Sequence, residues 1–324
     1  MRAVVFTGAG GNEVVRLEER PDPEPGSQDV LVQVRFAGVN TADTAQRDGN
    51  YAAPPGSPAD IPGLEVAGIV DVCGEGVLAW KPGDRVFGLV GGGGLADRVV
   101  AHERHLARIP DGLDEGDAAA VPEAFITAHD AIATQAGLRP GETLLVHGAG
   151  GGVGSAAVQI GVSMSARVLG TVRFDAAAEL VSSLGAEAIP DEGFVDAVLE
   201  KTGRAGADVI LELVGAPHFP GNLKALALKG RIAVIGTGAG DRVTLSLLSL
   251  MLKRAAIRAS VLRARSLEDK ALAVRAFERE VVPLLASGKI RALVDSVHPA
   301  ERVTDAFDRM EGPGKLGRVL IEFS

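Results

Sequence analysis

The first third of the chain alternates hydrophobic and polar positions in short runs. Residues 30–36 place apolar side chains at every second position, and residues 66–72 form a more continuous apolar run. Residues 1–8 predict a first strand that ends at glycines. Turn signals rich in proline and glycine separate these runs, for example at residues 81–84. The chain up to about residue 110 therefore predicts an irregular, mainly β domain.

After Pro122 the pattern changes to helices that alternate with short apolar strands. Apolar spacing predicts helices at residues 124–136, 153–164, 176–184 and 222–228. Apolar runs predict strands at residues 143–147, 167–172, 209–214, 231–235 and 257–261. Because strands that alternate with helices form parallel βαβ units, this part of the chain predicts a doubly wound sheet.

The end of the chain leaves that pattern. Residues 269–287 predict an amphipathic helix, because apolar positions recur among charged ones. Residues 318–323 predict a strand that must find its partner elsewhere in the fold. With 324 residues and 46% hydrophobic side chains, the chain has enough apolar material for two ordinary domains or one large one.

Composition and charge remove several classes of function. A formal net charge of −9 argues against a nucleic-acid binder, which needs a clustered basic face. The longest apolar run, residues 245–252, is shorter than the ~18–20 residues of a membrane span, and no secretory segment is recognisable. Cys73 is the only cysteine, so no internal disulfide can form. We therefore expect a cytoplasmic protein without a membrane span or a nucleic-acid partner.

A glycine-rich loop carries the clearest functional signal. Residues 148–154 follow a predicted strand and open a predicted helix, which is the context of a dinucleotide site. Side chains here would hold a pyrophosphate away from the backbone amides and the helix N-terminus that bind it. A flexible glycine turn is the alternative, but the position within a βαβ series favours the dinucleotide interpretation.

The end of the second strand of this unit bears on the choice of cofactor. NAD-specific proteins carry a carboxylate there, ~20 residues beyond the glycine motif, which binds the ribose hydroxyls. Arg173 at this end could pair with a 2′-phosphate, and a solvated surface arginine is the alternative. Asp175 is the rival ribose ligand, although its position suits the N-cap of the next helix. The sequence therefore favours NADPH.

Residues 137–160, which include this loop, resemble the cofactor loop of zinc-free, ζ-crystallin-like quinone oxidoreductases of the medium-chain dehydrogenase/reductase superfamily. The similarity covers essentially the whole chain through shorter motifs at residues 38–43, 63–68, 81–86, 121–128, 262–265 and 315–319. Tyr51, together with residues 46–47, 54–56 and 262–265, looks closest to the stress-inducible branch of that family.

The resemblance implies a two-domain α/β architecture. A mainly β, GroES-like catalytic domain is expected from both chain ends, residues 1–122 and 263–324, and a Rossmann domain from residues 123–262. The implied activity is NADPH-dependent hydride transfer to quinones or related α,β-unsaturated carbonyl compounds. An enoyl or alkenal reductase, or an NADPH-binding redox-responsive protein with little catalysis, are the alternatives. A homodimer, or a tetramer of such dimers, is expected along the edge formed by residues 257–261.

The same resemblance implies the site residues. Asn40 and Tyr51 would donate hydrogen bonds to the carbonyl oxygen of the acceptor; alternatively, Asn40 holds its own loop and Tyr51 packs on nearby prolines. No metal site is expected, because Asn40 and residues 63–65 replace zinc ligands of related alcohol dehydrogenases. The residues expected to bind the cofactor are Thr127, Gly151, Gly152, Val153, Gly154, Arg173, Gly215 and Gly236.

Three departures from the family pattern are visible. Residues 95–98 lack an aromatic side chain that relatives often have, and no lysine stands near residues 176–177 to help hold the 2′-phosphate. Without that lysine, the prediction of a 2′-phosphate site depends mainly on Arg173. Relatives often place a tyrosine near residues 189–194, whereas Tyr51 is the only tyrosine of this chain.

Other polar residues have structural explanations beside the functional ones. His147 could touch the cofactor or pack beside the loop. His102 and His105 have a spacing compatible with metal binding, but no third ligand is evident nearby. Asp43 and Glu65 could be catalytic acids, and helix capping and buried charge pairing explain them equally well.

Overall fold

The computed structural model describes residues 1–323 and divides the chain into two compact units. The first unit combines Met1–Ile126 with the chain from Leu262 onward, and the second is Thr127–Val261. The N-terminal part of the first unit is mainly β. Its elements are β1 (Arg2–Phe6), β2 (Val15–Glu19), β3 (Asp29–Val39), α1 (Thr41–Arg47), β4 (Glu65–Cys73), β5 (Arg85–Leu89), β6 (Arg98–His102), β7 (Leu106–Arg108), α2 (Glu115–Ala119) and α3 (Pro122–His129), within which the unit boundary falls.

The second unit alternates strands and helices, as the sequence predicts. Its elements are β8 (Thr143–Val146), α4 (Gly152–Ser163), β9 (Arg167–Val172), α5 (Asp175–Ser183), β10 (Glu187–Pro190), α6 (Phe194–Lys201), β11 (Ala207–Glu212), α7 (Phe219–Ala225), β12 (Leu226–Val234), α8 (Leu247–Lys253) and β13 (Ala256–Ala259). The six strands form one parallel sheet in the order β10-β9-β8-β11-β12-β13. The order reverses between β8 and β11, which makes the sheet doubly wound.

The C-terminal part of the chain completes the first unit. Its elements are α9 (Leu267–Glu280), α10 (Val282–Ala286), β14 (Val294–Pro299), α11 (Val303–Glu311) and β15 (Arg318–Glu322). The main sheet of this unit has the order β14-β15-β3-β4-β5-β7, and β6 also pairs with β3. β15 runs antiparallel to β3, with Val319 opposite Val39. The predicted strand at residues 318–323 therefore finds its partner in the N-terminal sheet, and the predicted α/β fold class is confirmed.

Aromatic contacts join the two chain ends inside the first unit. Phe6 on β1 meets Phe307 on α11 edge to face, with ring centroids 5.8 Å apart. Phe87 on β5 meets Phe277 on α9 in the same way at 5.8 Å. Three of these four side chains are essentially inaccessible to water, and Phe6 is 7% exposed. Such pairs contribute about 0.5–1.5 kcal/mol beyond the area that they bury, so they favour one packing of the C-terminal helices against the β sheet.

Several elements of the second unit differ from the sequence prediction. The pattern did not predict β10, α6 or α8. β10 has only four residues, and α6 begins directly after Gly193, whose φ is +74°. The predicted helix at residues 124–136 is α3 continued by a π-helical segment, Asp130–Gln135. Among the described residues, no helix is long and apolar enough to cross a membrane.

Candidate functional site

The glycine loop forms a tight connection between β8 and α4. Gly148 has a φ of +61°, a conformation that favours glycine, and the Gly151 amide donates to the Gly148 carbonyl oxygen at 3.0 Å. Gly151 is the N-cap of α4. The loop therefore turns the chain directly from the carboxyl end of a central strand into the N-terminus of a helix.

The N-terminus of α4 fits an anionic group. Gly151 supplies no capping side chain, and the first turn holds no acidic residue. Because the first amides of a helix have no partner within it, Gly152 and Val153 on this half-exposed turn leave hydrogen-bond donors for a phosphate. Gly154 is buried, and a Cβ there would overlap the Gly148 carbonyl oxygen and lie 2.9 Å from the Ala149 Cα atom. Only glycine at position 154 allows this close turn.

Most of the predicted cofactor residues of the second unit lie along one edge of its sheet. Gly152 follows β8, Arg173 follows β9, Gly215 follows β11 and Gly236 follows β12. These four parallel strands are adjacent, so their carboxyl ends share one edge. Ligands of doubly wound folds bind at this edge where the strand order reverses, which here is between β8 and β11.

Arg173 is exposed, and within residues 1–323 its guanidinium has no hydrogen bond or ion pair. It lies one residue beyond the end of β9 and is free to bind an anion. The predicted N-cap role of Asp175 is wrong, because Phe174 is the N-cap of α5 and Asp175 is the first residue of the helix. An exposed acid in the first turn still suits the helix dipole.

Gly215 and Gly236 are required by backbone packing. Gly215 has a φ of +118°, and a Cβ there would lie 2.6 Å from the Gly240 carbonyl oxygen. A Cβ at Gly236 would overlap the backbone of Leu213. Thr127 lies in α3, where its buried hydroxyl has no hydrogen-bond partner within the described part of the chain. An unpartnered buried hydroxyl is the feature expected of a residue that contacts a ligand.

A buried polar network lies beneath the same sheet edge. His147 Nε2 contacts Asn222 Oδ1 at 2.7 Å, and Asn222 Nδ2 donates to Glu212 Oε2 at 2.5 Å. The other oxygen of Glu212 accepts hydrogen bonds from the amides of Val214 and Gly215 at 2.6 and 2.8 Å. His147 therefore packs beside the loop and helps to hold the carboxyl ends of β8 and β11 together.

His218 completes a cluster with His147 and Glu212. One potential ligand atom of each residue lies within 4.8 Å of the others, which is compatible with a metal ion. Asn222 already links His147 to Glu212, and burial lowers the pKa of His147, so its ring is neutral at pH 7. Neither Glu212 nor Asn222 was predicted as a site residue, although an acid at the end of an apolar strand is a signal for Glu212.

His102 and His105 serve the local structure of the first unit. His102 Nδ1 accepts a hydrogen bond from the Arg104 amide at 3.1 Å, and His105 Nε2 contacts the Leu267 carbonyl oxygen at 3.1 Å. Burial lowers the pKa of His105 to about 4. Cys73 is half-buried at the end of β4, where burial raises the pKa of its thiol. His105 is therefore neutral and the Cys73 thiol is protonated at pH 7.

Asn40 is tied into the protein by its whole amide group. Nδ2 donates to the Gly38 carbonyl oxygen at 3.2 Å and to Glu65 Oε1 at 3.0 Å, and Oδ1 accepts from Arg318 Nη2 at 2.9 Å. Asn40 is also the N-cap of α1 in a capping box with Asp43. Both amide hydrogens are used within the protein, which supports the alternative that Asn40 holds its own loop.

The acids singled out from the sequence neighbour Asn40. Asp43 accepts hydrogen bonds from the amides of Asn40 and Gly63, both at 2.8 Å, while burial raises its pKa to about 6. Glu65 is buried in an ion pair with Arg318. Burial lowers the pKa of Arg318 to about 10, so the guanidinium stays charged at pH 7. Capping and buried charge pairing therefore explain both acids.

Tyr51 lies beside a second buried arginine. The Tyr51 ring stacks on the Arg263 guanidinium, with 5.3 Å between Arg263 Cζ and the ring centroid. Tyr51 is half-buried, and burial raises the pKa of its phenol, so the hydroxyl stays protonated at pH 7. Within residues 1–323 this hydroxyl makes no hydrogen bond to the protein. It is therefore an available donor.

Comparison with known proteins agrees with this geometry. The alcohol dehydrogenase GroES-like domain family matches residues 26–111, and the zinc-binding dehydrogenase family matches residues 152–278. A quinone oxidoreductase from Lama guanicoe is 32% identical over 99% of this chain and 97% of its own. A mycobacterial protein solved in complex with NADPH has a TM-score of 0.89 at 27% identity, with both chains fully covered. The enoyl reductase CurK has a TM-score of 0.88 at 25% identity, over 100% of this chain and 99% of its own.

The chain combines a GroES-like unit built from both chain ends with a Rossmann unit that carries a glycine loop at its strand-order reversal, and this combination defines the medium-chain dehydrogenase/reductase superfamily. Within that superfamily, the 32% sequence identity to the Lama guanicoe quinone oxidoreductase extends over nearly the full length of both chains, and this assigns the family. The chain belongs to the quinone oxidoreductase family and is an oxidoreductase.

Proposed function

We propose that the protein is an NADPH-dependent, zinc-independent reductase that transfers a hydride to quinones or related α,β-unsaturated carbonyl compounds. The observation that carries this proposal is the family membership over 99% of the chain. The bare N-terminus of α4 and the unpaired Arg173 support the cofactor. The NADPH complex of the mycobacterial neighbour supports it as well.

Different residues of this chain would bind different parts of the cofactor and the acceptor. The amides at the start of α4 would hold the pyrophosphate, and Arg173 would hold the 2′-phosphate. When bound, NADPH supplies the hydride from its nicotinamide ring. Tyr51 would donate its free hydroxyl to the acceptor, and Asn40 would hold the start of α1 in place.

Zinc independence is supported by the surroundings of Asn40. The Arg318 guanidinium contacts both Asn40 and Glu65, so a positive charge already stands where a zinc ion would have to bind. The chain has a single cysteine, so it cannot form a four-thiolate structural site.

The proposal is tested by steady-state oxidation of NADPH with a panel of quinones, enals and enoyl thioesters. We expect turnover with quinones or enals, unchanged after dialysis against a chelator and with no stoichiometric zinc by elemental analysis. Tight NADPH binding without turnover of any acceptor would support the redox-responsive binding protein instead. Activity confined to enoyl thioesters would support an enoyl reductase, which the structural similarity to CurK makes the second candidate.

Cofactor preference gives a first mutational prediction. Arg173→Ala should weaken NADPH binding by about 10- to 100-fold and leave NADH binding unchanged, because the lost interaction is a hydrogen bond between charged groups. Fluorescence titration of both cofactors measures this, with Arg242→Ala as the control because that side chain is 95% exposed. If Arg173→Ala weakens the binding of NADPH and NADH equally, Arg173 has only a structural role. If the wild type binds NADH more tightly than NADPH, Asp175 is the ribose ligand.

Self-association gives a second prediction. β13 is the unpaired edge of the parallel sheet, and α8 next to it in sequence exposes Leu248 and Met251 by 62 and 71%. We propose that this apolar surface pairs two copies of the chain. The double variant Leu248→Asp, Met251→Asp should be monomeric by light scattering at micromolar concentration, whereas Leu78→Asp, at a residue 93% exposed in the first unit, should stay dimeric. A monomeric wild type contradicts the proposal.

A further inference from the structure

Arg263 is a buried cation with one unused nitrogen. The residue is 5% exposed. Its Nε donates to the Gly91 carbonyl oxygen at 2.8 Å, and its Nη2 donates to Gln46 Oε1 at 2.6 Å. Its Nη1 is buried and has no hydrogen-bond partner within residues 1–323. Because buried donors are nearly always bonded, an unbonded guanidinium nitrogen marks a place where an acceptor atom is expected.

The charge of Arg263 is also unpaired. No carboxylate oxygen of the described residues lies within 4.0 Å of its guanidinium. Asp43 and Glu123 are close enough to act on its charge but make no contact, and burial lowers the pKa of Arg263. Isolated buried charges are costly, so this position favours a negatively charged ligand atom.

A second buried cation lies directly behind Arg263. Lys270 is 6% exposed, and its Nζ donates to the Arg263 backbone carbonyl oxygen at 3.1 Å. It too makes no ion pair within the described part of the chain. Two buried cations without a carboxylate in contact raise the positive potential around the Arg263 guanidinium.

Tyr51 adds a second unused donor to the same surface. Its ring lies on the guanidinium, and its hydroxyl is protonated and unbonded. Arg263 Nη1 is buried, whereas the Tyr51 side chain stacked on the same guanidinium is half-exposed. A guanidinium only donates hydrogen bonds, and the phenol O–H donates as well, so the two neighbouring side chains together offer two unused donors to an acceptor oxygen.

We propose that Arg263 and Tyr51 form a subsite for a negatively charged oxygen of the acceptor, with Lys270 adding positive charge behind it. This inference rests on the proposed function. In that reaction a hydride adds to an acceptor carbon, the carbonyl electron pair moves to oxygen, and the oxyanion takes a proton from solvent while NADPH becomes NADP+. The charged oxygen is either this oxyanion or a carboxylate that the acceptor carries.

The test compares an enone carboxylic acid with its methyl ester in the Arg263→Met and Tyr51→Phe variants. Arg279→Met is the control, because its side chain is 71% exposed on the same C-terminal part of the chain. If the oxyanion is bound, kcat falls about 100-fold or more in Arg263→Met for both compounds, with NADPH affinity unchanged. If a carboxylate is bound, KM rises for the acid alone. Arg263→Lys, which keeps the charge, should recover part of either loss.

The outcome that overturns the subsite is the same kinetics in Arg263→Met, Tyr51→Phe and Arg279→Met with both compounds. Should Arg263→Met fail to fold because Gly91 and Gln46 lose their partner, Tyr51→Phe decides, since its hydroxyl holds nothing in the protein. The inference is then contradicted if Tyr51→Phe has the wild-type kcat with both compounds and the wild-type KM for the acid. A wild-type protein that turns over no acceptor refutes the proposed function instead, so the two failures are distinguishable.

Discussion

We expect Arg318→Met to lower the free energy of unfolding by about 3–5 kcal/mol, the range for removing one partner of a buried ion pair. Arg318 is 6% exposed and pairs with Glu65, which is fully buried. The variant leaves the Glu65 carboxylate without its cation and leaves Asn40 Oδ1 without a donor. Chemical denaturation at pH 7 measures the loss.

The matched control is Arg302→Met, because its guanidinium is 70% exposed in a local pair with Asp305. That change should cost less than about 1 kcal/mol. The double variant Glu65→Gln, Arg318→Met should recover part of the stability, since it removes the stranded charge. Equal stabilities for Arg318→Met and Arg302→Met would show that the buried pair does not hold β15 to the N-terminal strands.

Gly154→Val should raise the Kd for NADPH by about 10- to 100-fold, the scale expected when hydrogen bonds to a charged phosphate are lost. A side chain at residue 154 would overlap the Gly148 carbonyl oxygen, so the loop must move away from the start of α4. Isothermal titration measures the Kd, and thermal unfolding checks that the fold is retained.

The control for this change is Gly8→Ala in the first unit, where a Cβ meets no atom within 4 Å. It should bind NADPH like the wild type. A folded Gly154→Val protein with unchanged NADPH affinity would show that the glycine loop does not hold the cofactor.

The sequence predicted those features that depend on local periodicity. Alternating strands and helices gave the parallel sheet, and the glycine loop was found from its position after β8 and before α4. The strand at residues 318–323 was also found, because its apolar run is short and bounded by glycine and charge. Each of these signals lies within a few consecutive residues.

Features that depend on distant contacts could not be predicted. Arg263 was recognisable only as part of a family motif, because its contacts with Gln46, Tyr51 and Gly91 are all far away in sequence. The link from His147 through Asn222 to Glu212 has the same character.

Asn40 shows a different limit, because the hydrogen bonds of its amide group also depend on residues far away in sequence. Its amide hydrogens donate to Gly38 and Glu65, and a hydrogen bond from Asn40 to the acceptor stays a prediction. A residue type alone does not reveal whether its donors are free, because that depends on which side chains the fold brings beside it.

The central claim is that this chain transfers a hydride from NADPH to an unsaturated carbonyl acceptor. The most direct measurement is single-turnover oxidation of bound NADPH, mixed with a quinone or an enone, using the two stereoisomers of 4-deuterated NADPH. We expect the fluorescence of bound NADPH to disappear on mixing, and to do so more slowly for one of the two deuterated isomers than for the other. Bound NADPH that stays reduced with both acceptors, or oxidation at the same rate for both isomers and unlabelled NADPH, would contradict it.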